Sequence, residues 1–134
     1  MVTLVIGLPG TGKTTWVKRH LGDGICYDLD ALAAAFRLNA PHEERHEGAR
    51  ELANELLADF VSAAYGYADD VFVIRTAPAM DEFETIAPDR VVYCLTRYVD
   101  RNTRGESAAM RRITDLVFYC RENGIPCSCD RDLQ

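Results

Sequence analysis

No stretch of the sequence approaches the roughly 20 apolar residues that a membrane-spanning helix needs. The N-terminus runs straight into an apolar segment without a charged leader. Both features read as a cytosolic (cytoplasmic) chain with no membrane partner. Cysteine is sparse and odd in number, five residues, which does not suit a disulfide framework. Cys26 and Cys94 sit inside apolar runs and read as small buried hydrophobes. Cys127-Ser-Cys129 lacks a second Cys/His cluster at ligand spacing, and alternation along a strand accounts for it. Positive charge is in deficit: the net charge of −6 disfavours indiscriminate nucleic-acid binding, although it says nothing of a local basic groove. Repeats, linkers and low-complexity tracts are absent too. The 134 residues therefore read as a single domain, residues 1–134, which buries roughly two thirds of its unfolded surface.

What the chain does have is concentrated at its start. A β-branched run from Val2 to Ile6 leads into G-x-x-x-x-G-K-T, Gly7 to Thr14, followed by residues of helical character. That is a phosphate-binding loop in its strand-to-helix setting. Gly7, Gly10 and Gly12 let consecutive N–H groups turn inward around phosphate oxygens, and Pro9 stiffens the turn. Lys13 reaches the β- and γ-phosphates, the Thr14 hydroxyl can ligate Mg²⁺, and the positive end of the next helix faces the anion. The candidate ATP-binding residues are Gly7, Leu8, Pro9, Gly10, Thr11, Gly12, Lys13, Thr14 and Thr15.

Periodicity supplies the rest of the frame. A first helix is expected from Lys13 to Leu21, a strand at Ile25 to Tyr27, and a short helix from Ala31 to Arg37 broken at Asn39-Ala-Pro41. Residues 42–65 carry Ala49, Leu52, Ala53, Leu56, Leu57, Phe60, Val61 and Ala64 at helical spacing, one long amphipathic helix. Strands follow at Val71 to Ile74, Arg90 to Leu95 and Ile125 to Cys129. Helices fall between them at Met80 to Ile86 and Ser107 to Glu122, the second closed by Asn123-Gly124. Alternating strands and helices call for an α/β fold, a parallel sheet covered on both faces with ligands at the carboxyl ends of its strands.

Two constellations could perform chemistry there. Asp28 and Asp30 follow the second strand; one can face Mg²⁺ and the other a substrate hydroxyl, or one can simply cap the next helix. Arg97, Arg101 and Arg104 repeat at i, i+4 and i+7, with Gly105 as a hinge, which suits a lid over residues 97–106; a solvated basic face is the other reading. No acid closes the third or fourth strand, which places the metal-water role on Asp28 and weakens a motor-type ATPase. Arg75, at the third strand's end, fits a phosphate or substrate contact, or a partner for Asp28. His42-Glu-Glu-Arg-His46 matches the zinc-protease pattern H-E-x-x-H, but its charged neighbours and the lack of a third ligand read as an exposed first helical turn.

With Gly7 to Thr14, Asp28-Leu-Asp30 and the arginine segment in this order, the chain resembles the P-loop kinases typified by shikimate, gluconate, adenylylsulfate and 5′-polynucleotide kinases. Arg101-Asn-Thr-Arg-Gly105 is similar to the lid of phage polynucleotide kinases. The resemblance implies a three-layer P-loop NTPase fold, a five-stranded parallel sheet in the order 2-3-1-4-5 with helices on both faces, binding ATP with Mg²⁺. It also implies Asp30 as the base toward the acceptor hydroxyl, Asp28 near the metal, and Arg101 and Arg104 as lid cations. The chain departs from the polynucleotide kinases at Ala33, where they carry an arginine, and at Arg75, where their third strand ends in an acid.

The combined reading is an ATP-dependent kinase that moves the γ-phosphate to a hydroxyl, with Lys13, Asp30, Arg101 and Arg104 as its catalytic groups. A nucleoside or a nucleic-acid 5′ end is the expected acceptor class, and oligomeric state is left open. The rival is a P-loop ATPase or nucleotide-dependent switch with no acceptor of its own.

Overall fold

The computed structural model describes residues 1–40, 46–94 and 104–133. Five strands, β1 (Val2–Gly7), β2 (Ile25–Asp28), β3 (Val71–Arg75), β4 (Arg90–Cys94) and β5 (Cys127–Cys129), form one sheet in the order β2-β3-β1-β4-β5. Each pairing is parallel. This is the three-layer P-loop NTPase fold that the sequence led us to expect.

Alternation along the strands sorts the core into two layers. Leu4, Ile6, Val71, Val73 and Val91 point to one face, where they meet Leu57 and Ala64 of α4 (Leu57–Ala64), Phe83 and Ile86 of α5 (Met80–Ile86), and Ile113 and Leu116 of α6 (Arg104–Glu122). Val5, Phe72, Ile74, Val92 and Cys94 point to the other, under Trp16 and Val17 of α1 (Lys13–His20) and Leu133 of the 3₁₀ turn Asp130–Leu133. β1 is buried along its whole length. At about 1.5–3 kcal/mol for each large apolar side chain buried, this central strand is the best-anchored part of the chain.

The start of β1 is fastened separately. The Val2 N–H donates to Asp89 Oδ2 at 2.7 Å, the Asp89 N–H donates to the Val2 carbonyl at 2.8 Å, and the Tyr65 hydroxyl donates to Asp89 Oδ2 at 2.9 Å.

The expected long helix over residues 42–65 is two helices, α3 (Glu47–Glu55) and α4, joined at Leu56; residues 41–45 lie outside the described set. Tertiary bonding explains the break. The Tyr27 hydroxyl of β2 donates to the Ala53 carbonyl, which also accepts from the Leu56 N–H at 3.3 Å, so the turn tightens there. Leu52 and Leu56, expected on the apolar stripe, stand 45% and 36% exposed.

Smaller corrections follow from backbone chemistry. The helix α2 (Leu29–Phe36) starts two residues before the expected Ala31, because Asp28 caps it, and it ends at a left-handed Leu38 whose N–H bonds the Ala35 carbonyl at 3.0 Å. Residues 104–106 belong to the first turn of α6, so the expected hinge at Gly105 is helical, while residues 97–103 of the expected lid lie outside the described set. At the other end of α6, Gly124 at φ +70 lets the Ile125 N–H reach the Cys120 carbonyl at 2.9 Å, and β5 begins only at Cys127. Among the described residues no helix is long and apolar enough to cross a membrane.

The Asp89 clamp predicts a pH signature. The Val2 N–H first, and then the Tyr65 hydroxyl, hold the Asp89 carboxyl below its ordinary 3.8. A depressed folded pKa gives stability that is present above the unfolded value and lost as pH falls through the folded one. Thermal melts of Asp89→Ala should show a lower Tm than the parent at pH 7, with the gap closing below pH 3.8. A gap independent of pH contradicts the clamp.

Candidate functional site

β1 delivers the chain to Gly7, and the loop that follows is set by backbone bonds. The Gly7 N–H donates to the Thr76 carbonyl at 3.0 Å, just beyond β3, and the Thr11 hydroxyl donates to the Leu8 carbonyl at 2.8 Å. Gly12 caps α1 at φ 89, a left-handed position that a side chain would strain. Gly7 is required for another reason: a Cβ there would stand 2.7 Å from both the Cys94 carbonyl oxygen and Thr11 Oγ1.

Lys13 Nζ donates to the Gly7 carbonyl at 2.6 Å and to the Leu8 carbonyl at 3.0 Å, which folds the side chain back along the loop. Burial lowers its pKa, opposed by Cys94, Asp28 and Asp30. Burial also pushes the Cys94 thiol up to about 12, so at neutral pH the opposing charge is that of the two carboxylates.

A cleft of about 850 Å³ opens over the carboxyl ends of the strands. It gathers Pro9, Gly10, Thr11, Gly12, Lys13, Thr14 and Thr15 with Asp28 and Asp30, nine of the residues singled out in the sequence. Gly7 and Leu8 are buried. Arg104 is the first residue of α6, and Arg101 lies outside the described residues.

The two aspartates occupy different environments. Asp28 Oδ1 accepts the Asp30 N–H at 3.1 Å, so the helix-cap reading holds for Asp28 while it also lines the cleft. Asp30 Oδ1 is bonded by Arg50 Nη1, from α3. Arg75 pairs with neither phosphate-loop residues nor Asp28. Its Nε and Nη2 donate to the two Glu82 oxygens, the second at 3.1 Å, and its Nη1 donates to Asn54 Oδ1 at 3.1 Å.

Arg50, Glu82 and Arg112 line the same cleft and were not singled out as site residues. One signal was available for Glu82: opposite charges flank the short β3–α5 turn. Arg50 gave none, because only the packing of α3 beside α2 carries it to Asp30.

His46, half of the H-E-x-x-H pattern, caps α3: its Nδ1 accepts the Ala49 N–H at 3.0 Å, while His42 lies outside the described residues. Among the described residues no three His, Cys, Asp or Glu side chains group as a metal site. A hard cation beside bound phosphates does not need such a group, since it takes most of its ligands from phosphate and water oxygens. The hydroxyl of Thr14 and the carboxylate of Asp28 both line the cleft and are oxygen donors of the kind Mg²⁺ takes.

The AAA_33 family model, an AAA domain, matches residues 2–115. No curated protein matches the chain.

The close approach at Gly7 yields a direct test. Gly7→Ala should lower stability by about 1–3 kcal/mol in chemical denaturation and abolish binding of an ATP analogue in calorimetry. Gly66→Ala, where the nearest atom to a new Cβ is at 3.4 Å, should leave binding intact. Parent-like binding by Gly7→Ala shows that the loop relaxes around the methyl group.

Proposed function

The chain belongs to the AAA_33 family and is a P-loop nucleotide-binding protein, and from that premise we propose that it is an ATP-dependent phosphotransferase acting on a hydroxyl acceptor. The observation that carries the reading is the content of the cleft: the phosphate loop shares it with Asp30 at the β2 end, while the β3 end holds Arg75 paired to Glu82. A hydrolytic motor places an acid on a core strand and a group to activate water beside the γ-phosphate. A carboxylate beside a second substrate suits transfer to a hydroxyl better.

In this mechanism the loop N–H groups and Lys13 hold the β- and γ-phosphates, with the N-terminus of α1 adding its positive dipole end. Lys13 leaves the loop carbonyls for the phosphate oxygens, a stronger, charge-assisted partnership. Thr14 and Asp28 would hold Mg²⁺, which supplies charge neutralisation at the phosphates when bound. The acceptor oxygen forms its bond to the γ-phosphorus as the bond to the bridging oxygen of ADP breaks, and the hydroxyl proton passes to Asp30. Arg50 fixes the Asp30 carboxylate by bonding Oδ1. Arg101, together with Arg104 at the start of α6 and Arg112 farther along it, supplies cations to the transferring group.

Transfer from labelled ATP with Mg²⁺ to a panel of hydroxyl compounds, with free phosphate counted in parallel, tests the proposal. Asp30→Asn should cut transfer by roughly 10²-fold or more and leave ATP-analogue affinity within a few-fold. Arg112→Ala should cut it by about 10²-fold, whereas Arg111→Ala should not. Free phosphate without a labelled acceptor replaces this reading with that of an ATPase or nucleotide switch.

A further inference from the structure

The cleft has two chemically distinct ends. At one stand the phosphate loop and Lys13; at the other, Asp28 closes β2, Asp30 lies in the first turn of α2, Arg50 enters from α3, and Arg75 and Glu82 enter from β3 and α5. Both arginines at this second end are already committed. Arg50 holds Asp30, and Arg75 holds Glu82 through two parallel bonds, with Asn54 taking a third.

The Arg75–Glu82 pair differs in kind from an exposed surface contact. Its side chains are only 15% and 27% exposed, against 72% for Asp30, so solvent screens it little and the fork geometry fixes its plane. An anionic acceptor that reached Arg75 would meet a guanidinium whose charge Glu82 already offsets, with that carboxylate beside it. Among the described residues the whole cleft is lined by three carboxylates (Asp28, Asp30, Glu82) and four cationic side chains (Lys13, Arg50, Arg75, Arg112); Arg50 and Arg75 are bonded to Asp30 and Glu82, so an acceptor group beside them meets paired cations with carboxylates as neighbours. Like charge would repel a phosphate or carboxylate carried by the acceptor.

Hydrogen bonding remains available. A guanidinium has five N–H donors, and the three bonds of Arg75 leave two for a ligand. With Glu82 cancelling the charge, those donors suit hydroxyl and carbonyl oxygens, and Asp28 and Asp30 accept from hydroxyls. A neutral compound with several hydroxyls meets both kinds of partner.

On the reading that this cleft takes a hydroxyl acceptor, we propose that the acceptor is uncharged around its reacting hydroxyl, a nucleoside or comparable neutral polyol. Glu82 sets that choice by neutralising Arg75. The selection is built by exclusion as much as by attraction, which is how discrimination against a charged analogue is commonly achieved.

The test compares thymidine with thymidine 3′-monophosphate, two probes that share a free 5′-hydroxyl and differ in charge. Calorimetry is run on the full chain with Mg²⁺ and a non-hydrolysable ATP analogue, so that binding is read without turnover. Labelled-phosphate transfer is followed separately. The parent should bind thymidine about 10-fold or more tightly than the phosphorylated probe, and Glu82→Gln, which keeps the shape and removes the charge, should narrow or reverse that ratio. Because the parent alone gives the first result, a variant that fails to fold does not decide the matter. Equal or tighter binding of the phosphorylated probe overturns the proposal, and so does the absence of binding by either. A preference for thymidine without any transfer supports the neutral selection and removes the phosphotransferase reading instead.

Discussion

Three chain segments converge at Gly7, and the convergence leaves no room for a side chain. The Cys94 carbonyl at the end of β4 presses from one side, Thr11 of the loop closes from another, and the Thr76 carbonyl beyond β3 takes the Gly7 N–H. Because β1 lies between β3 and β4 and is buried throughout, the direction in which the chain leaves Gly7 is set by the sheet rather than by the loop itself. The position of Lys13, the start of α1 and the mouth of the cleft all inherit that direction. A loop with the same glycines on an edge strand would lack one of these three constraints.

The cleft is polar along its length in a way the topology explains. β1 feeds the phosphate loop, while β2 and β3, on one side of it in the sheet, deliver Asp28, Asp30 and Arg75 to the opposite end. α6 follows β4 on the other side of β1 and brings Arg112 from that direction. Among the described residues Lys13 and Arg112 bond no carboxylate, while Arg50 and Arg75 each do. On the proposed reading this division separates the polyanion from the hydroxyl acceptor within one groove.

Local signals were readable in proportion to how local their causes are. The β1–loop–α1 unit was legible because its glycines, lysine and apolar run act on near neighbours. α5 was placed with its observed bounds, Met80–Ile86, because Pro78 and Ala87-Pro-Asp89 punctuate both sides. The break at Leu56 was not legible, since a stripe of apolar residues runs across it and the cause is a tyrosine hydroxyl from β2, 26 residues before the Ala53 carbonyl that it bonds. Arg75 and Arg50 show the same limit: a charged residue's partner is chosen by packing, so Arg75 found Glu82 and Arg50 found Asp30. Asp28, left between two roles by the sequence, serves as a cap and also lines the cleft, because a strand-end residue that opens a helix faces both.

The interruption at Leu56 also divides the layer over β2 into parts of unequal tenacity. α4 sinks Leu57 and Ala64 into the main core, but α3 buries chiefly the methyl groups of Ala49 and Ala53 against Ala33 of α2. Small side chains remove little apolar area from water, and only the partly buried Leu29 and Leu32 of α2 tie the pair to the main core, so α2 and α3 are less firmly anchored than the sheet. Arg50 and Asn54 ride on that unit. Arg50, which holds Asp30, and Asn54, one partner of Arg75, are thus mounted on a helical pair less firmly anchored than the sheet, and amide exchange there is expected to run ahead of exchange in β1. On the proposed reading, one wall of the acceptor's end of the cleft would open more readily than the phosphate loop beside it.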